Sequence, residues 1–112
     1  VTDIDALMSR MTLEEKCAQL GCVWFSGLLV DDQLALDRLA LAAAHGVGQV
    51  GRIAIEAGAG PERVAELGNE IQRYFVEETR LGIPAVIHEE STGGFCAREA
   101  TQFPQGINLA ST

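Results

Sequence analysis

A chain of 112 residues that is 47% hydrophobic and 21% charged has the composition of a folded segment, not of a disordered one. Eight Lys and Arg against 16 Asp and Glu give a formal charge of −8, which argues against nucleic acid or an anionic membrane surface as a partner and leaves neutral substrates open. No apolar run approaches the roughly 18 to 20 residues of a membrane helix.

Three cysteines, Cys17, Cys22 and Cys96, form an odd set without a Cys-x-x-Cys pair, so neither a disulfide framework nor a zinc cluster is expected. They read as small buried or half-buried thiols in a reducing compartment. Val1-Thr2-Asp3-Ile4-Asp5 has neither the basic start nor the apolar centre of a signal peptide, which makes a cytoplasmic location the expectation. The missing initiator Met and the stop at Leu109-Ala110-Ser111-Thr112 suggest an excised, partial or processed sequence.

In chain order, residues 3–10 read as a short amphipathic helix, with Ile4, Leu7, Met8 and Met11 at helical spacing. Thr12-Leu13-Glu14-Glu15 fits a capping box. A second helix runs from there to about Leu20, with Leu13, Cys17 and Leu20 inward and Gly21 as its end. Cys22-Val23-Trp24-Phe25 is a strand candidate bounded by glycines. Asp31 or Asp32 caps a third helix reaching Ala44, with His45 in its last turn and Gly46 as the left-handed stop. Residues 47–55 supply the next strand. Gly58-Ala59-Gly60-Pro61 places proline at the first position of a helix that runs to Arg80. Val64, Leu67, Ile71, Tyr74 and Phe75 form its apolar stripe. Gly82 stops it, and residues 83–87 form a strand ending in His88-Glu89-Glu90. Strands that are nearly unbroken apolar runs alternate with helices, the pattern of a parallel sheet covered on both faces. The fold class is α/β.

Three motifs need weighing. Gly46-Val47-Gly48-Gln49-Val50-Gly51 matches the dinucleotide pattern Gly-x-Gly-x-x-Gly. Its glycines follow a helix and lead into a strand, the reverse of what a pyrophosphate site needs. His88-Glu89 begins like a zinc-protease motif, but position 92 is Thr and the segment is not helical. No cofactor and no metal is therefore expected. Glu89 and Glu90 cannot face each other as a catalytic pair, because neighbours on a strand point to opposite faces. A His-Glu-Glu cluster at the carboxyl end of a buried parallel strand nevertheless lies where α/β folds place their binding sites. Asp31-Asp32 reads as solvated surface.

Four segments resemble one family in order and spacing. Met11-Thr12-Leu13-Glu14-Glu15-Lys16-Cys17-Ala18-Gln19-Leu20 is similar to the opening helix of family-3 glycoside hydrolases, the β-glucosidase and β-xylosidase family. Gly46-Val47-Gly48-Gln49-Val50 resembles the approach to an early strand of that family. Asn69-Glu70-Ile71-Gln72-Arg73 and Glu77-Glu78-Thr79-Arg80-Leu81-Gly82-Ile83-Pro84 resemble the helix and strand approach that follow. His88-Glu89-Glu90 and Ala100-Thr101-Gln102-Phe103-Pro104-Gln105 resemble the loop after that strand.

The resemblance implies that residues 1–112 are the N-terminal portion, about three βα units, of a TIM-like (β/α)8 barrel, a fold that usually needs roughly 250 residues. It implies retaining hydrolysis of β-linked glucose or xylose from the non-reducing end of an oligosaccharide. The Asp nucleophile would sit on a later strand, and the acid/base would come from a C-terminal α/β domain. This chain would then be inactive alone and contribute only part of a sugar subsite. Glu90 corresponds to the acidic residue of the family's early sugar-binding loop, a carboxylate accepting hydrogen bonds from sugar hydroxyls. His88, Glu89 and Arg98 are the supporting candidates, as groups that hold the loop. The chain departs from many members at Gly93-Gly94, where they carry His-Gly, and at Glu99 and Asn108, where they carry Gly. A self-contained carbohydrate-binding or interaction module without catalysis is the alternative.

Overall fold

The computed structural model describes residues 3–111, a mixed α/β chain with a parallel sheet. Val1, Thr2 and Thr112, which enter the reading of the two chain ends, lie outside the described residues. Helix α1 (Ile4–Arg10) is capped by Asp3, whose carboxylate accepts from the Ala6 N–H at 3.1 Å. Thr12 opens α2 (Leu13–Ala18) with the reciprocal pair expected of it. The Glu15 N–H donates to Thr12 Oγ1 at 3.2 Å, and the Thr12 N–H donates to Glu15 Oε2 at 2.8 Å. The helix is shorter than its pattern suggests and presents another face: Leu13, Cys17 and Leu20 are all exposed, while Met11 and Glu15 are buried.

Strand β1 (Cys22–Trp24) runs into a 3-10 turn (Phe25–Leu28) that carries Phe25 and Leu28 into the core. Asp31 and Asp32 do not cap a helix. Both are left-handed, with φ of 48° and 60°, and they link β2 (Leu29–Val30) to the antiparallel β3 (Gln33–Leu34). Two successive left-handed residues match the twist of a tight hairpin, and Asp tolerates that region better than most. Helix α3 (Leu36–Ala42) therefore starts later than expected and lacks a side-chain cap. His45 lies beyond its end, and Gly46 takes the expected left-handed turn with φ 81°.

Strand β4 (Gln49–Gly51) is only three residues long. Arg52 takes a left-handed φ of 67° and turns the chain into α4 (Ile53–Ala57), so Ile53 and Ile55 are helical and not part of the strand. Helix α5 (Pro61–Glu78) has Pro61 in its first turn and buries Leu67, Ile71 and Phe75, with Val64 and Tyr74 packed beside them. Strand β5 (Val86–His88) follows, and a short α6 (Gly106–Ala110) closes the described chain.

The three parallel strands lie in the order β1-β4-β5, with Val23, Val50 and Ile87 in one register row and Trp24, Gly51 and His88 in the next. Val50 is fully buried in a cluster with Phe25, Leu39, Ile53, Leu67, Ile71 and Phe75. The opposite face, carrying Cys22, Trp24, Gln49 and Val86, is exposed. The sequence pattern predicts cover on both faces, and among the described residues only one is covered.

Two polar ties hold this arrangement. Gln72 on α5 behaves like an extra strand toward Ala85: its Nε2 donates to the Ala85 carbonyl at 2.7 Å, and its Oε1 accepts from the Ala85 N–H at 3.2 Å. Arg80, just past α5, spans back to the chain's start. Its Nε donates to Glu15 Oε1 at 2.8 Å, and one terminal nitrogen donates to Glu15 Oε2 and to the Arg10 carbonyl, the latter at 2.8 Å. This ion pair holds Glu15 on the inward face of α2, and Leu13 stays exposed.

Hydrogen bonds from Arg80, and then from the Thr12 N–H, hold the Glu15 carboxyl at about 2 against an ordinary 4.5, with desolvation opposing them. Because the folded value is depressed, the tie contributes its full stability above about pH 4.5 and loses it as pH falls toward 2. Thermal melts between pH 6 and pH 2 will show this loss in the native sequence and a flatter profile in Glu15→Gln. Gln72→Leu leaves both Ala85 backbone groups without partners, and should cost about 1–3 kcal/mol by urea denaturation.

Candidate functional site

The carboxyl ends of β1, β4 and β5 meet at one edge, and the polar residues of the chain's strand ends converge there. Gly51 in the middle strand is the pivot. A Cβ at this position would lie 2.8 Å from both Cε1 and Nε2 of His88, so only glycine lets the imidazole lie back across the sheet. The His88 ring stands edge-on to Trp24, with centroids 6.4 Å apart, and its Nε2 lies 3.3 Å from Cys22 Sγ. The Arg52 guanidinium sits over the Trp24 ring at 4.9 Å and pairs with Glu56 at 3.1 Å. The His88 carbonyl accepts from the Arg52 N–H at 2.9 Å, which anchors the left-handed turn after β4.

Glu89 and Glu90 leave the sheet immediately afterwards, both half-buried. Glu89 reaches the start of α4, where its Oε1 accepts from the Ala54 N–H at 2.8 Å. Arg52 at the helix N-cap offers no side-chain acceptor there, so this carboxylate caps α4 from another strand. Its Oε2 is buried and has no hydrogen-bond partner among the described residues. The Glu90 side chain makes no hydrogen bond among the described residues, while its backbone carbonyl accepts from the Cys96 N–H at 3.0 Å and closes the loop. The two acids therefore differ in what they can do. Glu89 is engaged in holding α4, and Glu90 is free to accept hydrogen bonds from hydroxyl groups.

Arg98 is not drawn into this cluster. It is exposed, its charge meets only Glu99, at 3.9 Å, among the described residues, and it lines an apolar cleft of about 290 Å³ with Pro61, Val64 and Phe95. The loop departures have backbone causes. A Cβ at Gly93 would come 2.6 Å from the Phe103 carbonyl oxygen, so a histidine there would displace the segment that follows. Glu99 has φ 67°, a conformation suited to the glycine that many family members carry. Of the thiols, Cys96 is half-buried, but Cys17 and Cys22 are exposed, against the expectation of burial.

Sequence reasoning passed over Trp24 and Arg52. The signal that singled out His88, a polar or aromatic residue where an apolar strand stops, was also present at Trp24. Arg52 was masked because residues 47–55 look like one uninterrupted apolar strand.

Residues 12–112 match the family model described as "Glycosyl hydrolase family 3 N terminal domain". The chain belongs to glycosyl hydrolase family 3. It is 30% identical, over 117 aligned positions, to a protein of Formosa agariphila named "Putative beta-xylosidase". That alignment takes in 97% of this chain and 15% of the relative, so the chain spans a small part of that protein's length.

Replacing Glu89 by Ala should destabilise the fold by about 1 kcal/mol through loss of the α4 cap, and Glu89→Gln, which keeps an acceptor, should restore most of it in the same denaturation experiment. Glu99→Gly should raise stability by about 1 kcal/mol by relieving the left-handed strain.

Proposed function

We propose that these 112 residues form the N-terminal portion, about three βα units, of a TIM-like (β/α)8 barrel in a retaining β-glycosidase. The barrel reading is supported by three adjacent parallel strands with helices packed against one face, and by a second face left open as a barrel interior would be. The remainder of the barrel and a C-terminal α/β domain are the partners this reading requires. The observation that carries the functional reading is the gathering of Trp24, Arg52, His88 and the uncommitted Glu90 at the carboxyl edge of one sheet.

In this reading Glu90 accepts hydrogen bonds from hydroxyls of the terminal sugar. His88 and Glu89 hold it in place, His88 through its contacts across Gly51 and Glu89 through α4. Retaining chemistry needs two carboxyl groups about 5 to 5.5 Å apart across the glycosidic bond, one as nucleophile and one as acid/base. Glu89 is engaged with Ala54, so this chain offers no such pair at the site, and the reaction draws both groups from elsewhere in the enzyme. The substrate is a β-xyloside or β-glucoside, and the printed name of the relative favours the xyloside. An isolated binding module is disfavoured by Trp24 and Val86, which stand exposed on the open face.

Release of p-nitrophenol from aryl β-xyloside and β-glucoside tests the proposal, using the longest natural polypeptide that contains these residues and the 112 residues alone. Activity should appear only in the longer protein. There Glu90→Gln should lower kcat/KM by roughly 10- to 150-fold, the value of a hydrogen bond to a charged group. Turnover by the 112 residues alone would contradict the proposal, as would an unchanged kcat/KM in the variant.

A further inference from the structure

Arg52 occupies a position that suits glycine, with φ 67° and ψ 37° in the left-handed region. A residue with a Cβ is strained there, so the conformation persists only where neighbouring contacts hold it. The contacts come from three directions. The Arg52 N–H donates to the His88 carbonyl at 2.9 Å, and the Arg52 carbonyl accepts from the Glu56 N–H at 3.1 Å. The guanidinium lies over the Trp24 ring at 4.9 Å, and one terminal nitrogen pairs with the Glu56 carboxylate at 3.1 Å. Its Nε is buried and has no hydrogen-bond partner among the described residues, so the indole face is the contact that offsets its desolvation.

We propose that Arg52 is a positioning residue for Glu90, its side chain acting as a clamp that holds the left-handed turn after β4. The turn sets the first N–H groups of α4 against the strand end that precedes Glu90. The Arg52 N–H takes the His88 carbonyl, and two residues later the Ala54 N–H donates to Glu89 Oε1 at 2.8 Å. Ile53 and Ala54 are buried, so the turn cannot shift without disturbing the core. The two residues before Glu90 are gripped in this way, one by its backbone and one by its side chain. The Cys96 N–H then fixes the carbonyl of Glu90 itself at 3.0 Å. The Glu90 carboxylate is thereby carried on a backbone that is held from residue 88 to residue 90.

The clamp requires no access from solvent. Cover over Trp24 by other parts of the enzyme would strengthen it, since a cation–π contact gains as it is desolvated. The guanidinium is committed to Trp24 and Glu56, so Arg52 acts through the backbone and not by touching substrate. The task given to Glu90 rests on the sugar reading above, whereas the clamp stands without it.

Amide hydrogen exchange and glycoside hydrolysis, both measured on the longest natural polypeptide containing this chain, decide the matter. Arg52→Ala keeps the strained backbone and loses the clamp. Residues 52–56 should then exchange faster and kcat/KM should fall, each by about threefold or more. Arg52→Gly removes the clamp and the strain together, and should recover most of both losses. In a Glu90→Gln background, Arg52→Ala should lower kcat/KM no further, because its effect passes through Glu90. Arg52→Gly as impaired as Arg52→Ala would overturn the proposal, since the guanidinium would then be needed for itself. Native exchange in Arg52→Ala would overturn it too, as would effects of Arg52→Ala and Glu90→Gln that simply multiply. A native kcat/KM in Glu90→Gln would instead sink the sugar reading, and the exchange of residues 52–56 would still decide the clamp.

Discussion

The geometry of the strand ends depends on one constraint, the register that sets Gly51 between Trp24 and His88. Two outer side chains can approach across a middle strand only if that strand presents no side chain of its own. With glycine there, His88 meets both Trp24 and Cys22, and Arg52 can turn left-handed immediately afterwards and fold over the indole. On the other face the same strand places Val50 at the centre of the helix-packed core. One three-residue strand thus joins the core to the site, and a shift of one residue in its pairing would exchange the two faces.

The two ends of the sheet are built for different purposes. Toward the amino-terminal side, Arg80 gathers α1 and α2 through the Arg10 carbonyl and the Glu15 carboxylate, and Gln72 ties the approach to β5 against α5. These groups are mutually satisfied and have little left to offer a ligand. Toward the carboxyl side, polar groups are less completely paired: Glu90 has no hydrogen bond from its side chain among the described residues, and one oxygen of Glu89 is buried without a partner. Open α/β sheets place binding at that end, and the division here follows the same logic.

What could be read from the sequence tracks how far apart the interacting residues lie. The capping box of Thr12 and Glu15 and the stripe of α5 are local, so the residues announce them. The order of helix, glycines and strand over residues 36–51 was also legible, since it is local. Asp31-Asp32 was ambiguous because Asp suits both a helix cap and a left-handed hairpin turn, and the partner strands decide between them. Residues 47–55 carry no period that separates a short strand from a buried helix, and the break at Arg52 appears only in the backbone. The exposed face of α2 could not be foreseen, because Glu15 is oriented by Arg80, 65 positions away. At the site, the strand-end argument finds His88, Glu89 and Glu90. It cannot find the contact of His88 with Cys22, which requires the register.

The central claim is that sugar recognition in this family 3 chain occurs at the carboxyl ends of β1, β4 and β5 and uses Glu90. A crystal structure of the longest natural polypeptide containing the chain, with xylose bound, tests it most directly. The account predicts sugar hydroxyls within hydrogen-bond distance of the Glu90 carboxylate, on the side of the sheet that carries Trp24 and His88. A sugar bound near the Glu15–Arg80 pair at the opposite end, or one at the strand ends that leaves Glu90 without contact, would contradict it.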